Sequence, residues 1–172
     1  MAILDLAGAN QSTVSFITGF GHRLYSNDFL RQLDQSFGKG DFYENQADPR
    51  AQQEFLEGAL HFPDEQFDGA LVWDVLEFLS APLLALVVGR LHRVLRPDAG
   101  LLAVFHSDER AETVPSYSYR VQDHKTIQMA PRGQRKPAQI FNNRSLERLF
   151  QDFQSVKFFL TRDHLREVIV RR

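Results

Sequence analysis

The sequence has 172 residues, a length typical of one domain with a sizeable apolar core, and it contains no cysteine. The lack of cysteine excludes disulfides, thiolate zinc sites and a cysteine nucleophile. The formal net charge of -2 leaves no basic excess to neutralise phosphates, so nucleic acid is not an expected partner.

The first half of the chain predicts strands and helices in alternation. Ile3 to Ala7 is a short apolar strand, and Ser12 or Thr13 can cap the helix that follows it. The next predicted elements are a strand over residues 22–26, a helix over 28–37, a polar loop over 38–50 and a short strand from Phe55 to Ala59.

The second half contains the clearest unit of the chain. Phe67 to Asp74 is nearly apolar throughout, which indicates a strand buried on both faces. The elements predicted after it are a helix from Pro82 to Leu95, a turn from Arg96 to Gly100, a strand from Leu101 to Phe105, a polar segment over 107–139 with a hairpin around Tyr117 to Met129, a helix from Asn143 to Phe153, and two strands over 156–160 and 167–170.

This alternation predicts a mainly parallel sheet with helices on both faces and an antiparallel pair at its edge. Ligands of such sheets bind beyond the carboxyl ends of the strands. The turn after the first strand, Ala7 to Gln11, is therefore the leading candidate for a cofactor loop.

Two stretches, FPDEQFDGALVWDVLEFL and HRVLRPDAGLLAVF, resemble the class I S-adenosylmethionine-dependent methyltransferases. The motifs that carry the resemblance occur in the order of that family: Phe67-Asp68, Asp74-Val75-Leu76-Glu77, Arg93-Val94-Leu95, the turn from Pro97 to Gly100 and the strand after it. The resemblance implies one Rossmann-like α/β domain over residues 1–172. Its sheet would have seven strands in the order 3-2-1-4-5-7-6 with strand 7 antiparallel, and residues 107–139 would form a substrate-region insertion or hairpin.

The resemblance also implies S-adenosylmethionine as cofactor and assigns residues to it. Ala7, Gly8 and Ala9 would approach the methionine part, with Asp5 at the end of the strand before them. Asp28, or Asn27 beside it, would bind the ribose hydroxyls. The residues implied along the adenine side and at the end of the fourth strand are Glu57, Gly58, Ala59, Trp73 and Asp74.

Several of these residues have a purely structural alternative. Asp5 can serve as a hydrogen-bond acceptor at a strand end, Asp28 as the N-cap of the next helix, and Trp73 as a core side chain. Tyr117, Tyr119, His124 and Lys125 lie where relatives shape a substrate pocket, and a polar surface hairpin explains them as well.

The cofactor loop departs from the family pattern, which has glycines at alternate positions. Ala7, Ala9 and Gln11 occupy those positions here, with Gly8 between the alanines. An added methyl group is tolerated where φ is negative and is costly where φ is positive. Either Gln11 turns away and a weak cofactor site remains, or its side chain fills the pocket and the site is lost.

The leading functional hypothesis is methyl transfer from S-adenosylmethionine to a small-molecule or protein acceptor. The alternatives are a non-catalytic methyltransferase-like binding or assembly subunit and, third, an NAD-dependent oxidoreductase. No catalytic residue is assigned, although His106 and His124 are candidate bases, and the histidine spacing predicts no metal site.

Location and association are predicted from apolar patterning. The longest apolar stretch, Ala81 to Val88, contains a proline and is too short to span a bilayer, so we predict a soluble cytoplasmic domain with no membrane partner. Members of the similar family have helices ahead of the first strand, whereas this sequence starts at the strand, so an apolar sheet face near the first strands would be covered by another protein or by a second copy, which predicts a homo- or hetero-oligomer.

Overall fold

The computed structural model describes residues 1–172 and contains eight strands, six α-helices and a short 3₁₀ helix over Val75–Phe78. The strands are β1 (Ala2–Asp5), β2 (Arg23–Ser26), β3 (Phe67–Trp73), β4 (Leu95–His106), β5 (Val114–Val121), β6 (Ile127–Arg135), β7 (Ser155–Leu160) and β8 (Leu165–Arg171). The helices are α1 (Gln11–Gly19), α2 (Phe29–Phe37), α3 (Phe42–Asn45), α4 (Pro49–Ala59), α5 (Ala81–Val94) and α6 (Asn143–Leu149).

Six strands form one sheet in the order β2-β1-β3-β4-β8-β7, and β5 and β6 form a separate antiparallel hairpin. Strands β1 to β4 are parallel, β8 is antiparallel to β4, and β7 is antiparallel to β8. Leu4 pairs with Ala70 and Asp5 with Leu71, so the first and third strands are direct neighbours. The predicted mainly parallel sheet with an antiparallel pair at its edge is confirmed.

None of the helices is both long and apolar enough to cross a membrane.

The prediction of seven strands is wrong, because residues Phe55 to Ala59 belong to helix α4. The side chain of Asp48 accepts a hydrogen bond from the Arg50 N–H at 3.0 Å and caps this helix, and Pro49 occupies its first turn. Its buried residues Gln52, Phe55 and Ala59 follow helical spacing. The segment predicted as a loop over 38–50 likewise contains α3 and the first residues of α4.

The predicted turn from Arg96 to Gly100 is a bulge inside β4. Pairing with β3 passes from Phe67 opposite Leu95 directly to Gly69 opposite Gly100, which leaves the intervening residues of β4 out of register. Asp98 within this bulge has φ 68°, a conformation that aspartate tolerates better than most residues.

Two predicted helix boundaries also differ. The cap of α1 is Asn10 rather than Ser12 or Thr13, because the Asn10 side chain accepts a hydrogen bond from the Thr13 N–H at 2.9 Å. The last helix, α6, ends at Leu149 instead of Phe153, and Asn142 caps it.

The two faces of the sheet are packed differently. One face contributes to a core of 35 buried residues that includes apolar side chains of α2, α4, α5 and α6. On the other face a smaller cluster contains Trp73, Tyr119 and Val121, with partly buried Leu71 and Leu102 beside it. This second face is covered by α1 and the β5–β6 hairpin, and the cluster lies at the carboxyl ends of the parallel strands.

Candidate functional site

The parallel strands β1, β2 and β3 end at the same edge of the sheet, at Asp5, Ser26 and Trp73. The space beyond these ends is the ligand-binding crevice of open α/β sheets. We call it the strand-end crevice. The loop after β1 and the start of α1 border it on one side, and the β5–β6 hairpin lies over it.

Gly8 is required by the packing of this loop. Its φ is 83°, and a Cβ at this position would lie 3.2 Å from the Cβ of Asp28. The Gly8 N–H donates to the carbonyl of Asn27 at 3.1 Å, and Ala7 forms a bridge with Asp28. The glycine therefore allows the loop to contact the chain that follows β2.

The three departures from the glycine pattern cause no backbone strain. The non-glycine residues with positive φ are Glu65, Trp73, Asp98 and His164, so Ala7, Ala9 and Gln11 adopt conformations that side chains tolerate. Gln11 is exposed on α1, where its amide donates to the Ser15 hydroxyl at 2.9 Å. The alternative in which Gln11 fills the pocket is wrong.

Trp73 fills the strand-end crevice instead. Its indole N–H donates to Oδ1 of Asp5 at 2.7 Å, so the ring reaches from the end of β3 to the end of β1. The ring is 1% exposed and stacks on Tyr119 of the hairpin, with 4.5 Å between the ring centroids and 13° between the planes. Trp73 has φ 61°, a strained conformation for a bulky residue.

Asp5 is held within this packing. Its Oδ1 also accepts a hydrogen bond from the Ala7 N–H at 3.0 Å, while Oδ2 has no hydrogen-bond partner. Burial raises the pKa of the Asp5 carboxyl, although the hydrogen bonds from Trp73 and Ala7 act in the opposite direction. Asp5 therefore acts as a hydrogen-bond acceptor at a strand end, the structural alternative named for it from the sequence.

The hairpin is fastened to the helix that follows β1. The Ser12 hydroxyl donates to the Val121 carbonyl at 2.8 Å, and the Val121 N–H donates to the Thr13 hydroxyl at 3.0 Å. The Asn10 amide donates to the Tyr119 carbonyl at 3.3 Å. These contacts hold strand β5, and with it the Tyr119 ring, over the crevice.

A second set of contacts fastens the end of β6 to helix α2. Arg135 makes two hydrogen bonds to the Asp34 carboxylate, at 2.6 and 3.0 Å. Its guanidinium also lies over the rings of Phe42 and Phe78. The hairpin is therefore tied to the helices that follow both β1 and β2.

The two residues predicted to bind the ribose hydroxyls, Asp28 and Asn27, form contacts within the protein. Asp28 caps α2 by accepting from the Arg31 N–H at 3.2 Å, and its carboxylate lies 3.8 Å from Arg132 of the hairpin. The Asn27 amide donates to the Ala59 carbonyl at 2.8 Å. The N-cap role of Asp28 is thus observed, and a role in ribose binding stays a prediction.

The residues predicted along the adenine side are divided between two places. Glu57 and Gly58 are exposed on α4, and Glu57 lines an open groove of about 530 Å³ between α4 and α5 that does not include Trp73. Ala59 is buried at the end of α4, and its carbonyl accepts the hydrogen bond from the Asn27 amide at 2.8 Å. Helix α4 replaces the strand that would have presented Glu57 and Gly58 at the strand ends.

A buried polar cluster beside Trp73 brings the predicted residues Asp74, His106 and Tyr117 together with Glu77, to which the sequence assigned no role. Glu77 accepts from the His106 backbone N–H at 2.7 Å and lies 2.6 Å from His106 Nδ1. Asp74 accepts from the Tyr117 N–H at 3.2 Å, and the His106 ring stacks on Tyr117. Glu77 follows β3, and His106 ends the neighbouring strand β4. The pairing of these two strands is the sequence signal that could have predicted the contact between Glu77 and His106.

Burial governs the charges of this cluster. Burial and, to a smaller extent, the nearby Glu77 carboxylate raise the pKa of Asp74 to about 6, although the hydrogen bond from the Tyr117 N–H acts in the opposite direction. Burial alone lowers the pKa of His106, but the hydrogen bond and negative charge of Glu77 outweigh it and raise the pKa overall. The phenol of Tyr119 has a raised pKa because it is buried next to Asp74. The His106 Nε2 atom has no hydrogen-bond partner.

The crevice in this conformation does not fit S-adenosylmethionine. The unpaired Oδ2 of Asp5 is a suitable acceptor for the ammonium group of the cofactor. However, the stacked rings of Trp73 and Tyr119, which are 1% and 3% exposed, occupy the space between Asp5 and the hairpin.

Comparison with known proteins finds similarity in structure alone. No protein-family model and no curated protein matches the sequence. An S-adenosylmethionine-dependent methyltransferase from Methanosarcina mazei superposes with a TM-score of 0.54 and 18% identity, over 99% of this chain and 92% of that one. A methyltransferase from Aquifex aeolicus gives a TM-score of 0.54 at 15% identity, over 99% of this chain and 81% of that one.

A third similar structure contains a bound cofactor product. The 1,6-didemethyltoxoflavin-N1-methyltransferase of Burkholderia thailandensis, with its substrate and S-adenosylhomocysteine bound, gives a TM-score of 0.55 at 15% identity. The superposition covers 99% of this chain and 70% of that one. The order of the strands and these similarities agree with the sequence motifs, and the chain has the fold of the class I S-adenosylmethionine-dependent methyltransferases.

Proposed function

We propose that this chain uses the methyltransferase fold as a binding protein that transfers no methyl group. The observation that carries the proposal is the hydrogen bond from Trp73 to Asp5 beneath the stacked ring of Tyr119. These side chains fill the strand-end crevice, and ligands of open α/β sheets bind at such strand ends. A non-catalytic binding subunit, one of the alternatives from the sequence, is compatible with a filled crevice. Cofactor binding would require the crevice to be open.

The energy of opening the crevice supports this proposal. A hydrogen bond to a buried carboxylate contributes about 1.5–3 kcal/mol, and a stacked aromatic pair adds about 0.5–1.5 kcal/mol beyond its buried area. The contacts from Asn10, Ser12 and Thr13 to the hairpin would also break. An opening free energy on the order of 5 kcal/mol lowers the apparent affinity of a cofactor by more than about a thousandfold.

A second candidate function is methyl transfer from S-adenosylmethionine to a small-molecule or protein acceptor. It is favoured by one observation, the arrangement of Asp5, Gly8 and Asp28 together at the ends of β1 and β2. The solved methyltransferases that superpose on this chain support the same chemistry at the level of the fold. This function requires the hairpin to leave the crevice. No observation favours the third alternative, an NAD-dependent oxidoreductase.

Calorimetric titration with S-adenosylhomocysteine separates the two functions. The proposal predicts no heat of binding for the wild-type protein up to about 1 mM ligand, which corresponds to a binding free energy weaker than about -4 kcal/mol. Combined substitution of Trp73→Gly and Tyr119→Ala should create measurable binding, while the exposed control Phe159→Ala should behave as wild type. Micromolar binding by the wild-type protein would refute the proposal and support methyl transfer.

A further inference from the structure

The side chains that close the strand-end crevice also form one wall of a separate cavity. This cavity has a volume of about 250 Å³ and lies between the second face of the sheet and the β5–β6 hairpin. Trp73 and Tyr119 line it together with Leu102 and Val104 of β4 and Met129 of β6. We call it the hairpin cavity. Its walls are predominantly apolar, which is typical of sites for small organic ligands.

Three charged side chains lie at the rim of the hairpin cavity. Lys125 comes from the turn of the hairpin, Asp163 from the turn between β7 and β8, and Glu167 from β8. None of the three takes part in an ion pair within the protein. The rim therefore presents one free cation and two free carboxylates above an apolar floor.

We propose that the hairpin cavity binds a small zwitterion with one apolar or aromatic group, of the α-amino acid class. The ligand carboxylate pairs with Lys125, its ammonium group pairs with Asp163 or Glu167, and its side chain lies against Leu102, Val104 and Met129. A simple anion would leave both rim carboxylates unpaired, and a simple cation would leave Lys125 unpaired. Because drug-sized ligands occupy cavities of about 300–1,000 Å³, a group no larger than one aromatic ring matches this smaller volume.

This inference rests on the proposed function, because the hairpin position that closes the crevice also builds the wall of the cavity. The stacked rings of Trp73 and Tyr119 fill the crevice and also line the cavity. Ligand binding in the cavity would stabilise the closed hairpin, since a ligand that binds one conformation shifts the population towards it.

Trp73 supplies the reporter for a direct test, since it is the single tryptophan of the chain and lines the cavity. Its fluorescence is followed during titration with L-phenylalanine, phenethylamine, which has no carboxylate, and 3-phenylpropionate, which has no ammonium group. Calorimetry of the same titrations detects binding that leaves the fluorescence unchanged. We expect saturable binding of L-phenylalanine and about three- to tenfold weaker binding of each analogue, as partly exposed ion pairs contribute modestly.

Substitutions at the rim assign the binding to this cavity. Lys125→Ala and Glu167→Gln should each weaken L-phenylalanine binding about three- to tenfold. Lys157→Ala removes an exposed lysine from the neighbouring strand β7, outside the cavity lining, and should leave binding unchanged.

Three results would overturn the inference: no saturable binding of L-phenylalanine at about 20 mM, equal binding of the three probes, or equal weakening by Lys157→Ala and Lys125→Ala. A negative result with L-phenylalanine leaves the proposed function standing as long as S-adenosylhomocysteine also fails to bind. Binding of S-adenosylhomocysteine by the wild-type protein overturns the proposed function, whatever L-phenylalanine does.

Discussion

Substitution of Trp73 separates the contribution of its ring from that of its backbone. Trp73→Ala and Trp73→Gly both remove a ring that is 1% exposed, a change that costs about 3–5 kcal/mol in a protein core. Both also remove the N–H that Asp5 accepts, which adds about 1–3 kcal/mol. The two variants differ in the backbone, because position 73 has φ 61°. Glycine adopts this conformation freely and alanine does not, so Trp73→Gly should be about 1 kcal/mol more stable than Trp73→Ala.

The order of these stabilities is the opposite of the usual one, since glycine normally weakens a strand relative to alanine. Urea unfolding followed by far-ultraviolet circular dichroism measures it, because the variants lack the only tryptophan. Trp73→Phe, which keeps a ring for Tyr119 to stack on, should lose less than either. Phe20→Ala, at a side chain that is 64% exposed, should change the free energy of unfolding by less than about 0.5 kcal/mol. A loss below about 1 kcal/mol for Trp73→Ala, or a less stable glycine variant, would refute the reasoning.

Two further predictions concern the loop and the buried cluster. Gly8→Ala should lower the unfolding free energy by about 1–3 kcal/mol, because φ at this position is 83° and the new methyl group would lie 3.2 Å from the Asp28 Cβ. Gly58→Ala, in the exposed last turn of α4, should raise the unfolding free energy by about 0.5–1 kcal/mol, because the added methyl group meets no neighbour. Equal effects of the two substitutions in urea unfolding would contradict this. The raised pKa of Asp74 means that the stabilisation from its protonated form is present below pH 3.8 and is lost as the pH rises through about 6. The free energy of unfolding of Asp74→Asn, which resembles the protonated form, should therefore rise relative to that of the wild type by up to about 3 kcal/mol between about pH 4 and about pH 8, at about 1.36 kcal/mol per pKa unit. A pH-independent difference between the two proteins would contradict the raised pKa of Asp74.

The parallel strands could be predicted because each one is a compact apolar run with clear boundaries. Phe67 to Trp73 is buried on both faces, and the motifs after it specify its neighbours. Helix α4 could not be predicted as readily, since Phe55 and Ala59 form only the last part of its buried face. Its beginning at Asp48 and Pro49 lies in a polar segment whose composition is typical of a loop.

The state of the candidate site depends on contacts between residues distant in sequence. The sequence identified Asp5, Gly8, Asp28 and Trp73 by their positions after strands, and the structure brings Asp5 together with Trp73 and Gly8 together with Asp28. The direction of the Trp73 ring follows from its positive φ and from Tyr119 of the hairpin. Neither feature has a local sequence signature, so the closed crevice could not be predicted.

The solvent exposure of the Trp73 ring tests the closed crevice most directly. Tryptophan emission and its quenching by acrylamide are measured on the wild-type protein, with and without about 1 mM S-adenosylhomocysteine. A ring that is 1% exposed and stacked on Tyr119 should emit at short wavelength, resist quenching and show no change with the ligand. Emission typical of an exposed ring, or a saturable change in quenching on addition of S-adenosylhomocysteine, would contradict the account and indicate a crevice open to the cofactor.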